Sequence, residues 1–340
     1  MQLLAYFKLH PTTNFFNKVN WLLVLANASV AALLGAAMAR RMKDNGQAVV
    51  SHETIPIGAL SFLACLCFYP IMRAYALGQA QIWIDVLFTM ACVGWFYEKK
   101  HLSGALIGLI CLIKPQFSLF LLWGIIKGQK KFVAGWLTAV LAGMAVSMQF
   151  FDLRDYLDYL KVLDSLSRTG ESYHPNQSVN GVLNRLLNNG TVIVWEAHAF
   201  PPYHTVVRWG TLLSSAAIIA AVLFYKRRQE PGLLDLQLAA LAFTMASPIA
   251  WEHHYGLLPL VFISTYLKLR DIQDEGKRKS WYLVLAISYV LAANYIGTTS
   301  RITDAPWNLV YSYLFAGSAM LMVLIFSIKS ANGTTPRQWL

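Results

Sequence analysis

Residues 102–126 read LSGALIGLICLIKPQFSLFLLWGII, an apolar run broken at its middle by Lys114-Pro115-Gln116. Glu98-Lys99-Lys100-His101 stands before it and Lys127-Gly-Gln-Lys130-Lys131 closes it, so the run is basic at both ends. A single crossing would put one basic cluster on each side of a membrane, against the tendency of Lys and Arg to stay on the cytoplasmic side. Two short helices turning at Lys114-Pro115 keep both clusters together, with the break lining a cavity. The run is therefore read as a hairpin, and that choice sets the threading of the whole chain.

The composition supports a membrane reading throughout. The chain has 340 residues, 56% hydrophobic and 13% charged, with a mean hydropathy of +0.46. Apolar runs approaching the ~20 residues of a bilayer span recur at about 19–39, 56–72, 80–96, 132–150, 209–225, 234–247, 255–267, 281–296 and 307–328. The fold class expected is all-α: a polytopic integral-membrane bundle of about 9–11 transmembrane helices, counting the hairpin. It is read as one domain over 1–340, with N-terminal helices over 19–150, an extracytoplasmic loop over 151–207 and C-terminal helices over 208–328. The net charge of +11 does not point to nucleic acid, because the basic residues lie in short clusters between apolar runs. Cys65, Cys67, Cys92 and Cys111 all fall inside apolar runs and are read as small hydrophobes.

With the hairpin, 18 of the 28 Lys and Arg fall on one side, which is then cytoplasmic. They include Arg40-Arg41, Lys99-Lys100, Lys226-Arg227-Arg228, Lys268 with Arg270, Lys277-Arg278-Lys279, Lys329 and Arg337. The opposite, outer side collects Arg73, Lys114, the polar stretch 152–204, Glu252 and Arg301…Asp304. Within that stretch, Leu153, Leu157, Leu160 and Leu163 make one apolar stripe opposite Asp155, Asp158 and Lys161. An interfacial helix lying flat on the membrane is expected there. The same threading leaves Met1–Lys18 outside with no span before it, so either the N-terminus is translocated unaided or a further helix is expected upstream.

Several outer constellations carry polar chemistry. Ser247-Pro-Ile-Ala-Trp251-Glu252-His253-His254 joins two apolar runs, and reads either as a site or as a Trp/His collar at the membrane boundary. Lys114 at membrane depth suits a lipid-linked phosphate, or else snorkels to the interface. Gln79 and Gln81 offer amides that could read sugar hydroxyls or cap a helix. Asp85, one turn deeper, is a site carboxylate or a partner for Arg73. His174-Pro-Asn176-Gln177-Ser178 with Arg185 adds hydrogen-bonding groups and also contains a glycosylation sequon. No metal-binding array, Gly-rich phosphate loop or nucleophile elbow is present, and no cofactor is expected.

Taken together, Leu77-Gly-Gln79-Ala-Gln81, Gly108-Leu-Ile-Cys-Leu-Ile-Lys114-Pro115, Asn176-Gln-Ser178 with Arg185, and the Ser247–His254 stretch resemble glycosyltransferase family 87 over most of the chain. The resemblance implies a GT-C fold, an outward-facing site and a polyprenyl-phosphate sugar donor. It also implies a catalytic Asp or Glu in a first outer loop. This sequence begins after the place of that loop, and His10-Pro11 resembles its tail, so the resemblance implies that the true start lies upstream, that the chain is inactive as given, or that Glu252 substitutes. The function expected is an integral-membrane hexosyl- or pentosyltransferase of a bacterial plasma membrane, acting on an envelope lipid or glycan. Glu252 is the expected base. Lys114 and Arg185 are expected on the phosphate. Gln79, Gln81, Asn176, Gln177, Ser178, Trp251, His253 and His254 are expected around the sugar. A lipid or glycolipid transporter, or an envelope polymer ligase, is the alternative.

Overall fold

The computed structural model describes residues 13–44, 53–195, 200–226, 229–297 and 302–331. Expectations resting on residues 1–12, Arg227-Arg228, Arg301 and Arg337 lie outside these. Among the described residues the chain forms fourteen α-helices and no strand. They are α1 (Thr13–Asp44), α2 (Thr54–Leu66), α3 (Tyr69–Ala76), α4 (Gln81–Phe96), α5 (Lys100–Ile113), α6 (Leu119–Ile126) and α7 (Lys130–Ser147). After these come α8 (Leu153–Thr169), α9 (Val179–Leu186), α10 (Thr205–Phe224), α11 (Leu233–Met245), α12 (Leu258–Leu269), α13 (Glu275–Ala293) and α14 (Tyr313–Ala331). This is the all-α, polytopic membrane bundle that the apolar periodicity predicts.

The crossing elements are unequal. The helical stretches 15–44, 205–224 and 307–331 are each long and apolar enough to cross a membrane alone, and α2 with α3 qualifies as a pair. The single span expected over 56–72 is bent by 43° between α2 and α3. Phe68 is extended there and Pro70 enters α3 within its first two positions, where its missing N–H costs nothing. The bend swings α3 toward the turn between α11 and α12.

The hairpin is formed as the basic flanks require. α5 stops at Lys114, which takes extended angles (φ −125°, ψ 98°) before Pro115. A 3-10 turn over Pro115–Ser118 and then α6 return the chain. α5 and α7 run parallel: Gly104 lies on the backbone of Phe132, Gly108 on that of Trp136, and Gly135 on that of His101. Small residues at this seam let the two backbones approach. Parallel packing of α5 and α7 means that α6 brings the chain back to the level at which α5 began.

The basic clusters meet at that end. Arg41 donates to the Phe96 carbonyl (3.1 Å) and Lys127 to the Tyr225 carbonyl (2.6 Å), each at a helix C-terminus that favours a cation. Lys226 donates to the Lys329 carbonyl, and Lys329 pairs with Asp235 at 2.8 Å. Arg270 pairs with Glu53 at 2.9 Å. All thirteen residues of α11 are buried, so this helix is the axis of the bundle. Cys65 and Cys92 are buried as expected, whereas Cys67 is exposed and Cys111 half-buried.

α8 carries the expected stripe. It opens with a capping box between Asp152 and Asp155, and no residue along it is buried. Leu153, Leu157 and Leu160 stand exposed on its apolar face.

Candidate functional site

The site is built around the chain reversal between α11 and α12. After α11 the backbone runs extended through Trp251 (φ −68°, ψ 155°), makes a 3-10 turn over Glu252–Tyr255, and enters α12. The polar stretch is stapled to this reversal by backbone pairing. Gln177 N–H donates to the Ala250 carbonyl (2.7 Å) and Glu252 N–H to the Pro175 carbonyl (2.9 Å), an antiparallel bridge between Asn176 and Trp251.

Glu252 is 1% exposed. The Tyr69 and Tyr313 hydroxyls each donate to one of its oxygens at 3.0 Å. Arg73 and Arg185 are near enough to act on its charge. Beside it, Trp251 meets Tyr173, Trp195 and His253 edge-on, with ring centroids 5.8–6.4 Å apart. The Trp251 indole nitrogen is buried and has no hydrogen-bond partner among the described residues.

A second group stands on the other side of the same turn. Lys114 donates to Gln81 Oε1 at 2.5 Å, and Gln81 Nε2 donates to Asp85 Oδ1 at 2.7 Å. Gln81 and Asp85 are one turn apart on α4 and both are buried. Asp85 therefore faces Gln81 and, through it, Lys114; it is not Arg73's partner by hydrogen bond. His253 and His254 feel the Lys114 charge. Gly256 lies directly on the Asp85 carboxylate, closer than any β-carbon could sit. The 252–256 turn thus touches both groups, with Glu252 toward the tyrosines and the histidines toward Lys114. Gln79, by contrast, is exposed in the turn before α4, apart from Gln81.

The remaining candidates are buried and bonded within the fold. Asn176 donates to the Glu171 carbonyl (2.8 Å) and the Pro248 carbonyl (3.2 Å), and accepts from Ala250 N–H (2.9 Å). This amide is not open to a glycosylating enzyme in the folded chain. Gln177 donates to the His174 and Tyr311 carbonyls (2.8 and 2.7 Å) and accepts from Phe315 N–H (3.0 Å). Ser178 caps α9 through Gly181 N–H and donates to the Pro248 carbonyl at 3.0 Å. Arg185 is fully buried, with both terminal nitrogens 3.0 Å from the Asn176 carbonyl and Nη2 2.9 Å from Ser312 Oγ. Burial pushes its guanidinium down to about 9, which leaves it charged at neutral pH. His174, stacked on Tyr311, is pushed down to about 4 by burial and by Arg185 and Arg73. Glu171 is raised by its burial.

Tyr69, Tyr313 and Ser312 are residues that sequence reasoning missed. The tyrosines lie 183 and 61 residues from Glu252. No local spacing marks either of them. Among the described residues, no group of three or more His, Cys, Asp or Glu is placed to hold a metal ion.

The family model that matches this chain is glycosyltransferase family 87, over residues 3–248. The match takes in Gln81, Asp85, Lys114 and the 171–185 loop, and ends at Pro248, just before the Glu252 turn. No curated protein and no solved structure matches the chain. With well over half of its length matched, and with an apolar helical bundle around the site, the chain belongs to glycosyltransferase family 87 and is a membrane glycosyltransferase.

Proposed function

We propose that the protein transfers a sugar from a polyprenyl-phosphate donor to an envelope lipid or glycan. The reaction takes place on the outer face of a bacterial plasma membrane. The observation that supports this reading is that one turn, 252–256, carries the buried Glu252 carboxylate at its start and, through Gly256, touches the Asp85 of the group that holds the half-buried Lys114 ammonium. The acceptor hydroxyl attacks the anomeric carbon while the bond from that carbon to the phosphate oxygen breaks. Glu252 takes the hydroxyl proton, and the phosphate leaves with the bonding electron pair, stabilised by Lys114. The Tyr69 and Tyr313 hydroxyls hold the carboxylate in place but leave it lone pairs to accept with. Trp251, His253 and His254 line the sugar beside Gln81, and Gln79, exposed in the turn before α4, stands outside this lining. Asn176, Gln177, Ser178 and Arg185 act as the frame that pins the outer loop to the turn. A soluble nucleotide sugar does not suit an outward site.

Reconstitution in liposomes tests the chemistry. The full chain is given polyprenyl-phosphate mannose or arabinofuranose and extracted envelope lipids, without nucleotide sugar or metal. A new glycolipid should form and be lost in Glu252→Gln. If labelled lipid crosses the bilayer and no glycosidic bond is made, the transferase reading is wrong. Sidedness is checked on a background freed of the four native cysteines. Leu187→Cys should react with an impermeant thiol reagent on intact cells, and Lys279→Cys should not. The reverse pattern moves the site to the cytoplasm.

A further inference from the structure

Asp85 has no role in the reaction above, yet it is 1% exposed and its Oδ2 has no hydrogen-bond partner among the described residues. A buried carboxylate is costly to keep unless something depends on its charge. Its Oδ1 accepts from Gln81 Nε2 at 2.7 Å, and Gln81 Oε1 accepts from Lys114 Nζ at 2.5 Å. An amide has one donating end and one accepting end, whereas an ionised carboxylate only accepts. Asp85 therefore orients the Gln81 side chain, so that its oxygen faces the ammonium. Lys114 spends one of its three N–H donors on that oxygen and keeps two. The charged and titratable groups that face it are Asp85 from α4 and His253 and His254 from the turn. Of these, Asp85 is the one acid. Gly256 fits the same arrangement, because a side chain there would displace the carboxylate.

We propose that Asp85 is a positioning residue that, through the Gln81 amide, keeps the Lys114 side chain charged and aimed with two free donors into the site. The inference rests on the reading of Lys114 as the phosphate contact. It requires a carboxylate one residue removed from the ammonium and an amide between them. Moving the charge along the chain of contacts should then preserve the function: in Asp85→Asn with Gln81→Glu, the new carboxylate meets Lys114 directly and the amide placed at position 85 supplies its partner.

The test is acylation of the purified full chain by a small anhydride at fixed pH, read by mass spectrometry as labelling of Lys114 relative to exposed Lys161. The anhydride reacts with the uncharged amine. Asp85→Asn should raise Lys114 labelling about tenfold, the effect of one pK unit. Gln81→Leu should raise it in the same direction without removing either charged group. The double variant should return it toward the wild-type rate. Unchanged labelling in both single variants, or a double variant as reactive as Asp85→Asn, overturns the proposal. A purely structural role predicts no such rescue. Polyprenyl-phosphate binding by the same proteins separates the two readings. If labelling follows the expected pattern while binding does not change, Asp85 keeps its role and the assignment of Lys114 to the phosphate fails.

Discussion

On one flank of the Glu252 turn stand Asn176, Gln177, Ser178 and Arg185, and on the other Gln81, Asp85 and Lys114. Both flanks are made of amides, a cation and buried oxygens. In the first, each amide and the guanidinium is engaged with carbonyls and hydroxyls of neighbouring segments. In the second, Lys114 makes one bond to Gln81, and one oxygen of Asp85 makes none. A saturated set fixes a shape, while an unsaturated one has capacity left for a ligand. The difference lies in bonding, since both flanks combine amide side chains with a single cation.

The sharpest way to break this comparison is to remove one cation from each flank. Lys114→Gln should lower transfer by roughly 30- to 1000-fold, about 2–4 kcal/mol in the transition state, with little change in thermal unfolding. Arg185→Met should instead destabilise the fold by on the order of 3 kcal/mol, because the Asn176 carbonyl and Ser312 lose their buried partner. Melting curves and transfer rates measured on both variants decide it. If Arg185→Met melts like the wild type but fails to bind donor, the first flank is a ligand site after all.

A smaller effect is expected at the turn itself. Gly256→Ala should cost about 1–3 kcal/mol by overpacking against Asp85. In an Asp85→Ala background the same change should cost much less, since the clashing carboxylate is gone. Additive losses would show that Gly256 is constrained by something other than Asp85.

The gentlest probe is pH. His174 has its pKa depressed from 6.5 to about 4 in the fold, so between those values the unfolded chain binds more protons than the folded one. Stability from this group is therefore full above about pH 6.5 and is lost as pH falls toward 4. Glu171, raised by burial, contributes with the opposite sign. The comparison of wild type with His174→Phe isolates the histidine: the variant should keep the ring against Tyr311 and show a flatter loss of melting temperature below pH 6.5. Parallel curves would mean that the histidine is charged in the fold.

Much of the architecture was legible in the sequence because it depends on local rules. Basic flanks and Lys114-Pro115 give the hairpin, and the leucine spacing after Asp152 gives α8 with its cap. The bend at Phe68 was hidden inside a run that reads as one span; Pro70 was its only mark. Within the site, Lys114 could be named from its cost at membrane depth, and Gln81 as an amide at the same outer level. That Asn176 would be bonded to a distant carbonyl and Arg185 to a distant hydroxyl could not be read. Their partners at Pro248 and Ser312 lie 72 and 127 residues away. Glu252 was visible, but the tyrosines that hold it were not, for the same reason.

The shortness of the hairpin carries a consequence of its own. α5 has 14 residues, a reach of about 20 Å at the rise of an α-helix, against ~30 Å of hydrocarbon. A bilayer resting on the basic end would leave Lys114 roughly 10 Å short of the opposite headgroup level, unless the leaflet dimples toward it. Ordinary phospholipid phosphates would then ride above the ammonium. A lipid whose headgroup can sink, or a leaflet thinned beside the hairpin, is needed to bring a phosphate into reach. Depth in the membrane thus becomes a selector in its own right, sorting lipids before any side chain has touched them.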